Sequence, residues 1–115
     1  MKASNPASGL HRFATAAVLL GTAAAALAQQ DAGAGRVKAQ ACTVCHGTAG
    51  ISVQPDAPNL AGQPALYLAT QLRAYRSGKR SHEVMSLMAK PLSDQDIDDL
   101  AAWFSSLQIM LREAP

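Results

Sequence analysis

Two cysteines, the only two in 115 residues, stand three apart with a histidine directly behind the second: Cys42-Thr43-Val44-Cys45-His46. On a helix this run places two thiols and an imidazole within little more than one turn. That arrangement attaches a porphyrin covalently: each thiol adds across a vinyl group to form a thioether, and the imidazole lies beneath the ring where it can ligate iron. Cys42 and Cys45 are therefore the expected thioether residues of one haem c, and His46 its proximal iron ligand. The cysteine count excludes a four-thiolate zinc site, and a Cys2His2 site would have only His46 and His82 to draw on, because His11 lies in the leader described next. A redox dithiol of thioredoxin type follows a strand, and no β-branched or aromatic run precedes Cys42. It would also leave His46 without a role.

The leader is residues 1–28. Lys2, His11 and Arg12 make a weakly basic start, Phe13 to Leu27 is an alanine-rich apolar run, and Ala26-Leu27-Ala28 is a small-x-small cleavage signal. The run is short of the ~20 residues that span a bilayer and is interrupted by Thr15, Gly21 and Thr22, so it reads as a cleaved export peptide rather than an anchor. Lys2 and Arg12 are the only formally charged residues in it, so they alone account for the chain's net charge of +2. Residues 29–115 are neutral overall, and nothing in them points to nucleic acid. They make one small domain with four aromatic residues, Tyr67, Tyr75, Trp103 and Phe104. A core of that size is marginal without a staple, and a covalently bound haem is one.

The pattern of this domain is helical throughout. Asp31 is placed to cap a first helix running to the cysteine motif, with Val37, Ala41 and Val44 on one face and Arg36, Lys38 and Gln40 mostly outside. Gly33 and Gly35 weaken that helix, so another element must approach closely. Gly47 to Gly62, with Pro55 and Pro58, is a loop expected to wrap the haem edge. A second helix starts at Pro64, runs through Leu66, Leu68, Leu72 and Tyr75 with Arg73 and Arg76 outward, and stops at Ser77-Gly78. An irregular stretch, Lys79 to Leu92, breaks at Pro91. Ser93-Asp94-Gln95-Asp96 is an acidic capping box opening a last helix with Ile97, Leu100, Ala101, Phe104 and Leu107 inward. Its acids, Asp94, Asp96, Asp98 and Asp99, are accounted for by the helix dipole rather than by a paired-carboxylate active site. Thioether and imidazole are the side chains that complete a low-spin haem, which leaves His82, Met85, Met88 and Met110 as candidate sixth ligands. Met110 lies beyond the inward pattern of the last helix, and Met88 suits gap-filling beside a porphyrin.

These motifs resemble, in order, a class I cytochrome c of the short bacterial type found as soluble cytochrome c553 and as the repeating half of dihaem cytochrome c4. The residues carrying the resemblance are Cys42-Thr43-Val44-Cys45-His46-Gly47, Pro58-Asn59-Leu60-Ala61-Gly62-Gln63, Tyr75-Arg76-Ser77-Gly78-Lys79-Arg80, Met85 with Leu92-Ser93-Asp94, and Asp98-Asp99-Leu100-Ala101-Ala102-Trp103-Phe104. Only one haem motif is present, unlike the dihaem proteins, and Trp103 stands where the family more often has tyrosine. The resemblance implies an all-α fold of four to five short helices around one covalently attached haem. It implies Met85 as the distal iron ligand, the Pro58 carbonyl as acceptor for the free ring nitrogen of His46, and a crossing of first and last helices at which Gly35 meets the aromatic faces of Trp103 and Phe104.

With a thioether on iron no catalytic group is required. The expected protein is a periplasmic single-haem carrier, not an enzyme, that passes one electron by outer-sphere transfer between respiratory or dehydrogenase partners. It would be a monomer, off the membrane after cleavage, docking transiently at the haem edge, with Arg73, Arg76, Lys79 and Arg80 as a candidate basic docking patch. The rival readings are a haem enzyme or gas sensor with an open sixth position, and a permanently docked electron-transfer subunit.

Overall fold

The computed structural model describes residues 29–113; the leader expected over 1–28 lies outside them. Among these residues five α-helices follow in order: α1 Ala32–Lys38, α2 Thr43–His46, α3 Ala65–Ser77, α4 Met85–Ala89 and α5 Asp94–Ser106, with a 3-10 turn, Ala39–Cys42, joining α1 to α2. Among the described residues there is no strand, and no helix is long and apolar enough to cross a membrane.

The helix ends follow local chemistry. The Asp31 carboxylate accepts from the Gly33 and Ala34 amides at 2.8 and 3.1 Å and so satisfies two orphan donors of α1. At α5 the capping box is reciprocal: the Asp96 amide donates to Ser93 Oγ at 3.1 Å, and the Ser93 amide donates to Asp96 Oδ2 at 2.9 Å. α3 ends on Gly78 in the left-handed region, φ 81°, as the sequence predicts. Pro64 caps this helix from outside, with extended ψ, rather than forming its first turn.

α5 is the element on which the others meet. It packs against both α1 and α3, while α4 packs on α3. The core is Ala39, Leu68, Ala69, Ile97, Leu100, Ala101 and Phe104, with Cys42, Leu60, Leu72, Leu92, Trp103 and Leu107 packed against it. Three of its seven members are alanines, and only Ile97 is a large side chain buried below 2 %. Packing of this kind brings backbones together rather than filling a wide interior.

The face of α1 differs from the sequence expectation. Val37, Ala41 and Val44 point outward, and Val37 and Val44 are more than 70 % exposed. The buried side carries Gly35, Ala39 and His46. Gly35 selects that face, because its missing side chain lets α1 lie on the α5 backbone. What it meets most closely is the α5 backbone and the root of the Trp103 side chain: a Cβ there would lie 2.6 Å from the Asp99 carbonyl carbon and 2.8 Å from Trp103 Cβ. The Phe104 ring instead packs on Gly50, and the Arg36 guanidinium lies over the Trp103 ring at 5.7 Å.

The acids of α5 also do more than complement the dipole. Asp99 is buried, and it accepts from the Asp31 amide at 2.9 Å, Lys38 Nζ at 2.6 Å and Gln95 Nε2 at 2.7 Å. Its carboxylate thereby joins both ends of α1, the cap and the last residue, to the second turn of α5. Asp98 pairs with Arg73 at 2.6 Å and Asp94 with Arg76 at 2.6 Å, tying α3 to α5.

Candidate haem site

Cys42, Cys45 and His46 are held by two consecutive turns. The 3-10 turn delivers Cys42 at its last residue, and α2 carries Cys45 and His46 before Gly47 ends it at φ 77°. A side chain at Gly47 would run into the Ile51 carbonyl, so this glycine is what lets the chain double back. The loop is then pinned to itself. Gly50 O accepts from the Leu60 and Ala61 amides at 2.8 and 3.0 Å, the Ser52 amide donates to Asn59 Oδ1 at 2.7 Å, and Ser52 Oγ donates to Cys45 O at 3.0 Å. Its far end is fastened to α5 by the Gly62 amide, which donates to Phe104 O at 2.9 Å.

This fold-back carries Pro58 to the histidine. His46 is buried, 6 % exposed, and its Nδ1 lies 2.8 Å from the Pro58 carbonyl oxygen. A carbonyl only accepts, so the proton is on Nδ1 and Nε2 keeps its lone pair. That is the tautomer a metal-ligating imidazole needs, with ring orientation fixed by the acceptor behind it. Burial pushes the Cys42 thiol above its ordinary pKa. A redox dithiol is made reactive by the opposite shift, which speaks against the thioredoxin-type reading. No group of three or more His, Cys, Asp or Glu side chains gathers among the described residues to hold a bare metal ion. Two half-buried thiols one turn apart, beside an oriented imidazole with a free nitrogen, are the donor set of a covalently bound haem, and these residues fit it.

The four candidate sixth ligands fall in different settings. Met110 is in the segment after α5 and 92 % exposed. Met85 is the first residue of α4 and half-buried, whereas Met88, one turn on, is 40 % exposed. The stretch expected to be irregular thus contains a short helix that opens at Met85. His82 is exposed and turned to its own backbone: the Val84 and Met85 amides donate to its Nδ1 at 3.2 and 3.3 Å. The sequence holds this histidine among the candidate ligands; the backbone geometry shows that its Nδ1 is taken up by the two amides.

The basic patch on α3 is largely committed within the chain. Arg73 and Arg76 hold Asp98 and Asp94, Arg76 also donates to Leu92 O at 2.9 Å, and Arg80 donates to Gln71 Oε1 at 2.7 Å while lying over the Tyr75 ring at 4.6 Å. Lys79 has no carboxylate within 4.0 Å among the described residues. As a docking patch it therefore offers much less free charge than its four cations suggest.

An all-helical chain folded over a Cys-x-x-Cys-His turn, with the histidine oriented by a proline carbonyl, defines a c-type haem protein. Comparison with known proteins gives the family: the cytochrome c model matches residues 30–108, and the chain belongs to that family. It is 48% identical over 79 residues to cytochrome c-554(548) of Halomonas halodenitrificans, covering 66% of this chain and 95% of that one. It is 45% identical over 87 residues to cytochrome c4 of Pseudomonas aeruginosa, covering 76% of this chain and 43% of the relative. The solved structure of reduced recombinant cytochrome c4 from Pseudomonas stutzeri superposes with a TM-score of 0.66 at 42% identity, over 70% of this chain and 47% of that one. The chain thus spans nearly all of the Halomonas protein and a little under half of the c4 proteins. It is a class I c-type cytochrome of c4-like kind and an electron carrier.

Proposed function

We propose that residues 29–115, freed of the 1–28 leader by export, act in the periplasm as a monomeric carrier of one electron on one haem c, without catalytic activity of their own. Cys42 and Cys45 would hold the porphyrin by thioethers, and His46 and Met85 would ligate its iron. The bound haem supplies the one-electron couple of its iron. The chain orients the proximal imidazole through Pro58, places a thioether that favours the ferrous state, and keeps water and small ligands from the metal. With Arg73, Arg76 and Arg80 engaged internally, docking with redox partners relies on the haem edge and a small transient contact rather than on a basic patch. The observation carrying this reading is the His46 Nδ1 contact with the Pro58 carbonyl at 2.8 Å beside the two cysteines. Mass spectrometry of the exported protein tests it. The mass should equal residues 29–115 plus one haem, and acid acetone should leave the pigment on the protein. Extraction of free haem would refute covalent attachment, and rapid carbon monoxide binding by the ferrous protein would refute closure by Met85 in favour of an open-site sensor or peroxidase.

A further inference from the structure

α4 is only five residues long, Met85–Ala89, too short to persist without help at its start. The residue at its cap position, Val84, has no side chain able to accept the opening amides. Those amides are met from two residues further back. The Val84 and Met85 N–H groups donate to His82 Nδ1 at 3.2 and 3.3 Å, the His82 N–H donates to Ser86 Oγ at 3.1 Å, and the Ser86 N–H donates to His82 O at 3.0 Å. The ring thus takes the amides two and three residues on, and the hydroxyl four residues on takes the His82 amide, a variant of the capping box with an imidazole in the place of the usual hydroxyl or carboxylate.

We infer that His82 is the positioning residue for Met85, its Nδ1 holding the Met85 amide and so fixing the turn from which the thioether reaches the iron. The inference rests on the reading of Met85 as distal ligand. A thioether sulfur is joined to its Cα by only three bonds, so whatever fixes the backbone at residue 85 limits where the sulfur can go. His82 itself is exposed and supports no part of the core; its substitution acts on the turn and not on the packing of α5. The same bonds keep the Nδ1 lone pair occupied, so the proton of the neutral ring sits on Nε2 and Nδ1 is not offered to a metal.

The test uses the haem-loaded protein and four variants, His82→Ala, His82→Asn, Ser86→Ala and Met85→Ala. Imidazole is titrated into the ferric protein at fixed pH to compete with Met85, and the sulfur-to-iron charge-transfer band is recorded. Exchange of the Val84 and Met85 amides is followed by NMR in the ferrous state. His82→Ala should tighten imidazole binding about fivefold, equivalent to a cap worth about 1 kcal/mol, weaken the band, and speed exchange of both amides. Ser86→Ala, which removes the other half of the box, should shift imidazole binding in the same direction. His82→Asn should restore the parent values, since its side-chain oxygen accepts the same amides. Met85→Ala should erase the band. If Met85→Ala erases the band while both His82→Ala and Ser86→Ala leave imidazole binding unchanged, the ligand reading stands and the positioning role is refuted. If Met85→Ala leaves the band intact, the ligand reading falls and takes this inference with it.

Discussion

Gly35→Ala puts the crossing of α1 and α5 to the test. The added Cβ would sit 2.6 Å from the Asp99 carbonyl carbon and 2.8 Å from Trp103 Cβ, and nearer still to the Asp99 carbonyl oxygen. Ordinary carbon contacts lie at about 3.5–4.0 Å, so the helices must part by roughly 1 Å. None of the three obstructing atoms is the end of a flexible side chain, which puts the overpacking cost at the upper end of its usual range, about 3 kcal/mol. Separation also stretches the bonds that Asp99 accepts from the Asp31 amide and Lys38, for about 1 kcal/mol more. Alanine returns about 1 kcal/mol of helix propensity, leaving a net loss of about 3 kcal/mol. At roughly 4–8 °C per kcal/mol for a domain this small, the melting midpoint should fall by about 12–24 °C. Thermal unfolding of the haem-loaded protein, followed by far-ultraviolet circular dichroism and by haem absorbance, measures it. At Gly33 a Cβ would meet only Asp31 Oδ1, at 3.1 Å, and Gly33→Ala should change stability by no more than about 1 kcal/mol. A Gly35→Ala protein as stable as the parent would refute the close-approach argument.

The carboxyls of Asp94, Asp96 and Asp99 are held below the usual carboxylate range, first by their bonds to Arg76, Lys38 and Lys38 respectively. A lowered folded pKa contributes stability above the unfolded value, about 4, that is lost as pH falls through the folded one. Melting temperature should therefore hold level near neutrality and drop below about pH 4; Asp99→Asn should lower the plateau and flatten that drop, and a midpoint that rises on acidification would contradict the assignment. Lys38 is raised by the same contacts, so its contribution is complete below its unfolded pKa and lost only in strong alkali. Replacing Cys42 and Cys45 together by alanine should leave the exported chain without bound haem and unfolded by circular dichroism. Arg73→Gln should cost no more than about 1 kcal/mol, as expected for a partly exposed ion pair, and should leave the rate of electron transfer to an acidic partner nearly unchanged in stopped-flow mixing. A severalfold fall in that rate would restore α3 as a docking surface.

What could be read from the sequence was local. Asp31, Ser93 with Asp96, and Gly78 cap helices through chemistry that operates within four residues, and the cysteine motif encodes its own geometry. What could not be read depends on which elements meet. The face of α1 was misassigned because hydrophobicity favours Val37 and Val44, whereas the close approach of α5 selects the side bearing Gly35 and Ala39. Asp99 looked like one acid of four in a charged helix start; its burial follows from partners 61 and 68 residues away. His82 stands in the sequence as a candidate ligand; its ring instead serves the backbone two and three residues on, and nothing in a side-chain pattern marks that use. The resemblance named Pro58, and the structure shows how the chain reaches it: Gly47 reverses the chain, and Gly50 O and Asn59 hold the returning strand of the loop in place.

The two sides of the site depend on α5 to different degrees. The histidine side is fastened to it three times, by Gly35 on the Asp99 backbone, by the buried Asp99 carboxylate on α1, and by the Gly62 amide on Phe104 O. Met85 is connected less directly, since α4 packs on α3, which in turn meets α5 through Leu68, Leu72 and the Arg73–Asp98 pair. Short helices with few buried side chains open at lower free energy than the elements they rest on, and of α4 only Ala89 is buried. On the proposed ligation the two sides then differ: the histidine side is fastened to α5 directly, and the Met85 side through the His82 turn and the packing of α4 on α3. If Met85 is the distal ligand as proposed, changes on α3 or in the His82 turn should act on the methionine side before they disturb the histidine. Alterations of ligation and potential should accordingly appear under conditions in which α1 and α5 are still intact.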